Sequence, residues 1–268
     1  MSRPNVIVVA DASAAAQAGA DHIAEALSSA VDARGRADWV TTGGSSPTGI
    51  YRLLASEPLV DTVPWPRVHV WWTDERFVPR DHPLSNAKPF DDILLKSARG
   101  EKGPLWDAGT RVTIPFDQVH PFRTAETIGA GGTAADCARE LAAELAAADL
   151  PRADGWPVFD LMLIGVGRDG HLMSVFPGSA AFDVPELALA IPAPTHIEPH
   201  VERVTLNPAI VGAARDVLVV ATGSDKAAAI GKAFAQAGDP KALPARVAVR
   251  EGATWIIDEA AAAELPRP

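Results

Sequence analysis

The chain has one cysteine, Cys137, so it has no partner for an internal disulfide and does not read as a secreted disulfide scaffold. Cys137 lies in an alanine-rich helical pattern and is expected to pack rather than react. Positive charge is also scarce: 24 Lys and Arg stand against 34 Asp and Glu, a net charge of −10. A polyanion needs a basic face, so no nucleic-acid partner is expected. A small phosphorylated ligand needs only a few local cations and stays open. Long apolar runs are missing as well. Val6–Ala10 is too short for a leader core, and no later run reaches the ~20 residues of a membrane span. No membrane partner is therefore expected, and a cytoplasmic location is the default. The histidines offer no metal cluster. His196 and His200 are four apart, but Pro194 and Pro199 oppose the helix that would align them. No metal is expected there.

What is present is an ordinary globular composition, 47% hydrophobic and 22% charged, enough to bury a core. The 268 residues suit one large α/β domain, expected to run over 1–268. Apolar runs at Asn5–Ala10, Asp38–Thr42, Val68–Thr73, Val158–Ile164, Val201–Leu206, Asp216–Thr222 and Ala253–Asp258 read as strands. Helical spacing follows from Asp11 to about Val31, around Ile50, Leu53 and Leu54, around Phe90 to Leu95, and from Thr133 to about Leu150. Asp11 and Ser46 are candidate helix caps. Arg111–Ile114 reads as a short strand, Phe122–Gly132 as a loop, Pro151–Pro157 as a surface turn, and Ser179–His200 as irregular. A tail helix is expected over Glu259–Leu265. Strand–helix alternation along the whole length predicts a mainly parallel open sheet with helices on both faces.

The most informative stretch is Gly165–Gly178. It leaves a buried strand and carries glycines at 165, 167 and 170, then His171. Such glycines let the backbone bend and approach a ligand at the carboxyl end of a strand. His171 has the side chain suited to proton transfer near neutral pH, which makes it the candidate base. Gly165, Gly167 and Gly170 also match the dinucleotide fingerprint, but Pro177 and the residues after His171 do not resemble the helix that must follow it.

Three further strand ends carry candidate ligand groups. Gly43, Gly44 and Ser45 lie between a strand and a helix, where exposed N–H groups attract anions; a plain tight turn is the alternative. Asp74, Glu75 and Arg76 follow the third strand. Arg76 can fork onto phosphate oxygens, or the three can form a solvated salt-bridged turn. Lys226, after Gly223, falls on the first turn of a helix. The helix dipole disfavours a cation there unless an anion is shared, with an ion pair to Asp225 or Asp21 as the alternative.

Gly43–Pro47, Trp72–Pro79 with Ser85 and Asn86, Phe159–His171 with Ser174–Gly178, and Gly223–Lys226 occur in that order. Together they resemble the 6-phosphogluconolactonase family (DevB type) over nearly the whole chain. The resemblance implies a modified Rossmann-like sandwich and hydrolysis of 6-phospho-D-glucono-1,5-lactone to 6-phosphogluconate, the second step of the oxidative pentose phosphate pathway. It makes the protein a carboxylic ester hydrolase without a cofactor. It implies His171 as general base, Asp169 as its orienting partner, and Arg76 and Lys226 on the phosphate with Gly43, Gly44 and Ser45. Arg203 matches a further basic position, and Asp74 a contact to sugar hydroxyls. A monomer or weak homo-oligomer is expected. Two departures stand out: Leu172 and Met173 where the family most often has Thr-Ala, and Ala87 where a tyrosine is usual. Neither removes a proton-transfer or phosphate residue.

Two rivals fare less well. Amino-sugar-phosphate isomerases/deaminases carry an Asn-Glu-Pro run after the shared Asp-Gly-His, and Ser174–Gly178 has no acid. A sugar-phosphate sensor domain would need an attached helix-turn-helix, and the first strand already begins at Asn5.

Overall fold

The computed structural model describes residues 4–95, 112–235 and 238–266. In chain order its first strands are β1 (Asn5–Val9), β2 (Ala37–Thr41), β3 (Val68–Trp72), β4 (Asp74–Arg76), β5 (Val119–His120) and β6 (Arg152–Ala153). Then come β7 (Trp156–Pro157), β8 (Leu161–Ile164), β9 (Ala188–Ile191), β10 (Arg203–Leu206), β11 (Asp216–Ala221) and β12 (Ala253–Asp258).

Seven strands form one sheet in the order β1-β12-β11-β8-β2-β3-β5, and every pair in it is parallel. Parallel strands covered on both faces should be apolar throughout rather than alternating. All residues of β2 and β8 are buried accordingly. From β2 the chain moves outward through β3 to β5. From β8 it moves the other way, through β11 to β12. Loops leaving the adjacent strands β2 and β8 therefore diverge, and a crevice opens at their carboxyl ends.

The helix Ala12–Arg34 carries the chain from the β1 edge to β2 and packs on β12, β11, β8 and β2. The Asp11 carboxylate accepts from the Ala14 N–H at 2.9 Å, which fixes its start. Gly35, in the left-handed region at φ 77°, ends it by donating to the Val31 carbonyl. The helix Ser45–Leu54 is fastened to the end of β2 by Tyr51. The Tyr51 hydroxyl donates to the Thr42 carbonyl at 2.6 Å and lies 2.7 Å from the Thr41 hydroxyl.

A second sheet is antiparallel, with β10 between β4 and β9. Here the structure departs from the sequence reading. Asp74–Arg76 is a strand rather than a solvated turn, because β10 supplies its backbone partners. Within Ser179–His200, Ala188–Ile191 forms the edge strand β9. Prolines at 185 and 192 flank it without interrupting its pairing.

Other differences are local. Pro151–Pro157 contains the hairpin β6–β7, closed by Asp154 and Gly155, both at positive φ as a two-residue hairpin turn demands. Thr124–Gly129 is a short helix inside the expected loop, too brief for periodicity to reveal. Val112–Ile114 is not a strand, and Arg111 lies outside the described residues. Glu259–Glu264 forms turns instead of the expected helix, with the Asp258 carboxylate accepting from the Ala261 N–H at 2.8 Å.

Asp11→Ala removes the cap of the helix that crosses four strands. It should lower unfolding stability by about 1 kcal/mol, read as a lower urea midpoint at unchanged m value.

Candidate active site

Loops from β2, β8 and β11 and residues of both sheets enclose a crevice of about 760 Å³ at the point where β2 and β8 diverge. On its floor is the turn after β8. Gly167 N–H donates to the His171 carbonyl at 2.8 Å, and Gly170 N–H donates to the Gly167 carbonyl at 2.9 Å. Gly170 has φ 82°, which lets the chain double back. The His171 ring then lies flat against Gly167, where a Cβ would stand 2.0 Å from Nδ1. The sequence expectation holds here: Gly165–Gly170 builds a tight return, and no helix follows as a dinucleotide site would require.

His171 Nδ1 lies 2.5 Å from Asp169 Oδ1, which also accepts from the His171 N–H at 3.1 Å. The other carboxylate oxygen, Oδ2, is 3.0 Å from His196 Nε2. Burial alone would push the Asp169 carboxyl upward. Hydrogen bonds from His171 and His196 overcome it and hold the group well below the usual carboxylate range. An ionised carboxylate only accepts, so His171 Nδ1 and His196 Nε2 both carry protons. His171 is thereby fixed in the tautomer whose Nε2 lone pair is available as a base.

The opposite wall is cationic. In the small sheet Arg76 and Arg203 are directly paired across β4 and β10. Both line the crevice, and the Nε of each is buried with no partner among the described residues. Arg76 Nη1 donates to the Leu84 carbonyl at 2.8 Å, and Arg203 Nη2 to the Pro199 carbonyl at 3.1 Å. Burial, the largest influence, depresses the Arg203 pKa; Arg76 acts in the same direction, while Asp74 opposes it. Two like charges facing each other across strands repel, so this wall is a ready receptor for an anion. Alternation along β4 explains how three charged neighbours divide. Asp74 and Arg76 face the crevice, and Glu75 points away into the protein.

Glu75 organises that side. Its carboxylate accepts from the N–H groups of Arg76, Asn86 and Ala87 and from the Ser85 hydroxyl, at 2.6–2.9 Å. Burial pushes its pKa up to about 7 against the pull of those four bonds. The result is a fixed position for Asn86. Asn86 donates to the Asp74 carbonyl at 2.9 Å and leans on Gly43, where a Cβ would meet its Oδ1 at 2.0 Å. Asp74 is buried, accepting from the Thr73 and Ser174 hydroxyls at 2.8 and 2.7 Å.

Gly43 and Gly44 also border the crevice. Gly44, at φ 112°, precedes the helix Ser45–Leu54, whose first turn has no side-chain cap. Ser46 is therefore not the cap; the helix starts one residue before it. Ser45 is on that first turn but does not line the crevice. Lys226 closes the far side. It lies on the 3-10 turn Ser224–Lys226 that runs directly into the helix Ala227–Phe234, and its Nζ lies 2.9 Å from Asp225 Oδ2. The Asp258 carboxylate accepts from the Gly223 N–H at 3.0 Å and so holds the turn that presents Lys226.

Of the residues singled out in the sequence, Gly43, Gly44, Asp74, Arg76, His171, Arg203 and Lys226 thus meet at one crevice, with Asp169 behind His171. Ser45 alone stands back. The sequence reading missed His196, His200, Asn86 and Arg168, all of which line the crevice. Asn86 was within reach, since it belongs to the Ser85-Asn86 motif. Nothing in spacing pointed to His196, which the long excursion before β10 brings back to Asp169. Of the departures, Met173 lines the crevice, while Leu172 and Ala87 are buried in the core. Among the described residues, no group of three or more His, Cys, Asp or Glu is placed to hold a metal ion, and no helix is long and apolar enough to cross a membrane.

Comparison with known proteins gives a consistent result. A family profile described as glucosamine-6-phosphate isomerases/6-phosphogluconolactonase matches residues 10–256. A Streptomyces coelicolor protein named 6-phosphogluconolactonase is 32% identical over 270 residues, covering 98% of this chain and 95% of that one. One of the same name from Mycobacterium leprae is 34% identical over 265 residues, covering 98% of each. The solved structure of 6-phosphogluconolactonase from Trypanosoma brucei superimposes with a TM-score of 0.81 at 28% identity, over 98% of this chain and 99% of that one.

Glu75→Gln replaces one of two accepting oxygens with an NH2 that faces buried donors. The variant should lose about 1–3 kcal/mol of stability, measured by urea or thermal unfolding.

Proposed function

The chain belongs to the glucosamine-6-phosphate isomerase/6-phosphogluconolactonase family, and within it we propose that the protein hydrolyses 6-phospho-D-glucono-1,5-lactone to 6-phospho-D-gluconate. In metabolism this would be the second step of the oxidative pentose phosphate pathway. The observation that carries the reading is the pairing, in one crevice, of an Asp169-fixed His171 with two arginines whose buried Nε groups have no partner among the described residues.

In this reaction the phosphate occupies the wall made by Arg76, Arg203 and Lys226, with Gly43 and Gly44 contributing donors ahead of the helix start. Lys226 would then exchange part of its contact with Asp225 for the phosphate. Asp74 keeps accepting capacity beyond its hydroxyl partners Thr42, Thr73 and Ser174 and reaches a sugar hydroxyl. The lactone carbonyl lies toward His171. His171 Nε2 takes a proton from a water molecule as the water oxygen bonds to C1. The carbonyl electron pair moves onto its oxygen, where hydrogen-bond donors at the crevice stabilise the charge. Collapse re-forms the carbonyl and breaks the bond from C1 to the ring oxygen, which receives the proton from His171. Asp169 holds the imidazole throughout and stabilises its transient charge.

The amino-sugar-phosphate alternative gains no support from the residues after His171. Ser174 is fully buried and donates to Asp74, and no acid stands where the isomerisation would need one.

Freshly prepared lactone should disappear faster than its spontaneous hydrolysis when the protein is added, and glucosamine 6-phosphate should be untouched. His171→Ala should lower kcat by about 10²–10⁴-fold with folding retained; an equally fast variant would remove His171 as the base. Gly167→Ala, which forces the imidazole off its seat, should reduce kcat with little change in KM. Arg76→Ala should act chiefly on KM, raising it by about ten-fold or more; an unchanged KM would take Arg76 out of the phosphate site.

A further inference from the structure

One contact at the crevice has no part in the proposed reaction. His196 approaches the face of Asp169 that His171 leaves vacant, with Nε2 at 3.0 Å from Oδ2. A second contact holds the two imidazoles in the same arrangement. The Phe176 ring lies 4.8 Å from the His171 ring and meets the His196 ring edge-on at 5.4 Å. Arg203 sits over that same phenyl ring at 5.4 Å. The carboxylate therefore serves two imidazoles through separate oxygens, and aromatic packing keeps both aimed at it.

We propose that His196 is a positioning residue for His171, acting through Asp169 to keep the base unprotonated at neutral and mildly acidic pH. This rests on His171 being the base. The reasoning is electrostatic. A carboxylate beside an imidazole favours the charged imidazolium, and an imidazolium cannot take a proton from water. A donor on the second carboxylate oxygen draws charge away from the first and lowers that pull. Were His196 itself protonated, its charge would act in the same direction. Removing the donor leaves Oδ1 still held by the His171 ring and N–H, so the carboxylate stays in place and its fuller charge falls on His171. The base of the variant should then protonate at a higher pH than that of the parent.

Other charges face this unit from every side. Arg168 lies on the turn after β8, Glu198 and His200 on the His196 segment, Arg203 on β10, and the Asp225–Lys226 pair beyond β11. All are unchanged by a substitution at 196, so the difference between parent and variant isolates His196.

The test compares the parent, His196→Ala and His196→Gln on fresh lactone from about pH 5.5 to 8. Gln retains an amide N–H able to reach Oδ2. His196→Ala should show its acidic limb displaced upward by roughly half a pH unit, the scale of a partly exposed hydrogen-bonded pair. Activity should be several-fold lower near pH 6 and converge with the parent near pH 8, with KM unchanged throughout. Gln should restore the limb. An unmoved limb overturns the proposal, as does a rise in KM alone, which would make His196 a substrate contact. So does a Gln variant that behaves like Ala. The His171 ring can also be titrated by NMR in parent and variant without substrate. A higher midpoint in His196→Ala supports the coupling even if the parent proves inactive on the lactone, in which case it is the proposed function that fails. Equal midpoints sink the coupling whatever the activity.

Discussion

The structure depends on the divergence of two neighbouring strands. β2 and β8 lie side by side in the parallel sheet, and the chain leaves them in opposite directions. No helix can cover the gap between loops that part in this way, so a crevice forms without the removal of any core residue. The buried strands themselves carry no chemistry. They are almost wholly apolar, as double coverage requires, and polar groups appear where each strand ends. Thr42, Gly165 and the Gly223 turn are such ends, and each contributes to the same crevice. Tyr51 and Asp258 convert those ends from loose loops into fixed ones, through hydrogen bonds to Thr42 and Gly223.

A parallel sheet alone would leave the crevice open on one side. The antiparallel unit β4-β10-β9 closes it and brings what the main sheet lacks, a concentrated positive charge. Pairing Arg76 with Arg203 across strands is costly in isolation. It persists because the backbone pairing of β4 with β10 and the four bonds to Glu75 fix the strand regardless of what the side chains prefer. Strain at a ligand wall and satisfied hydrogen bonds behind it are two sides of one arrangement, in which Glu75 turns a charged sequence into a buried frame.

These two layers explain what could be read from the chain and what could not. Six of the seven parallel strands were legible because they are apolar runs, and β2, β8 and β11 lead directly to glycines, whereas the two-residue β5 is too short to show. Gly43-Gly44, Gly165–Gly170 and Gly223 were visible for that reason, and the crevice they share followed from strand–helix alternation. β4 was not legible. Three consecutive charges read as a ligand-binding loop or a solvated turn when nothing local reveals that β10, far along the chain, will pair with them. His196 was hidden for the same cause. Its neighbours Pro194 and Pro199 argued correctly against a helix, yet its approach to Asp169 is set by the path into an antiparallel strand. Local pattern encodes periodicity and punctuation, whereas contacts made by distant pairing leave no trace in spacing.

The same division bears on how binding and rate are separated in the proposed reaction. A phosphate distant from the carbonyl keeps its charge as the lactone opens, so the contacts that hold it stabilise ground state and transition state alike and govern affinity. The charge that develops on the carbonyl oxygen and on His171 exists only during reaction, and the groups that meet it govern the rate. In this fold the first set comes mainly from the antiparallel unit and the helix starts, the second from the turn after β8. An acidic chain is no obstacle to the first task. With a net charge of −10 it repels extended polyanions at a distance. Within the crevice, guanidinium groups whose buried Nε atoms have no partner among the described residues act at short range and low dielectric, where a compact phosphate can reach them and a polymer cannot. In the proposed function, selectivity for a small phosphorylated ligand thus rests on the opposition of the protein's overall charge and its local one.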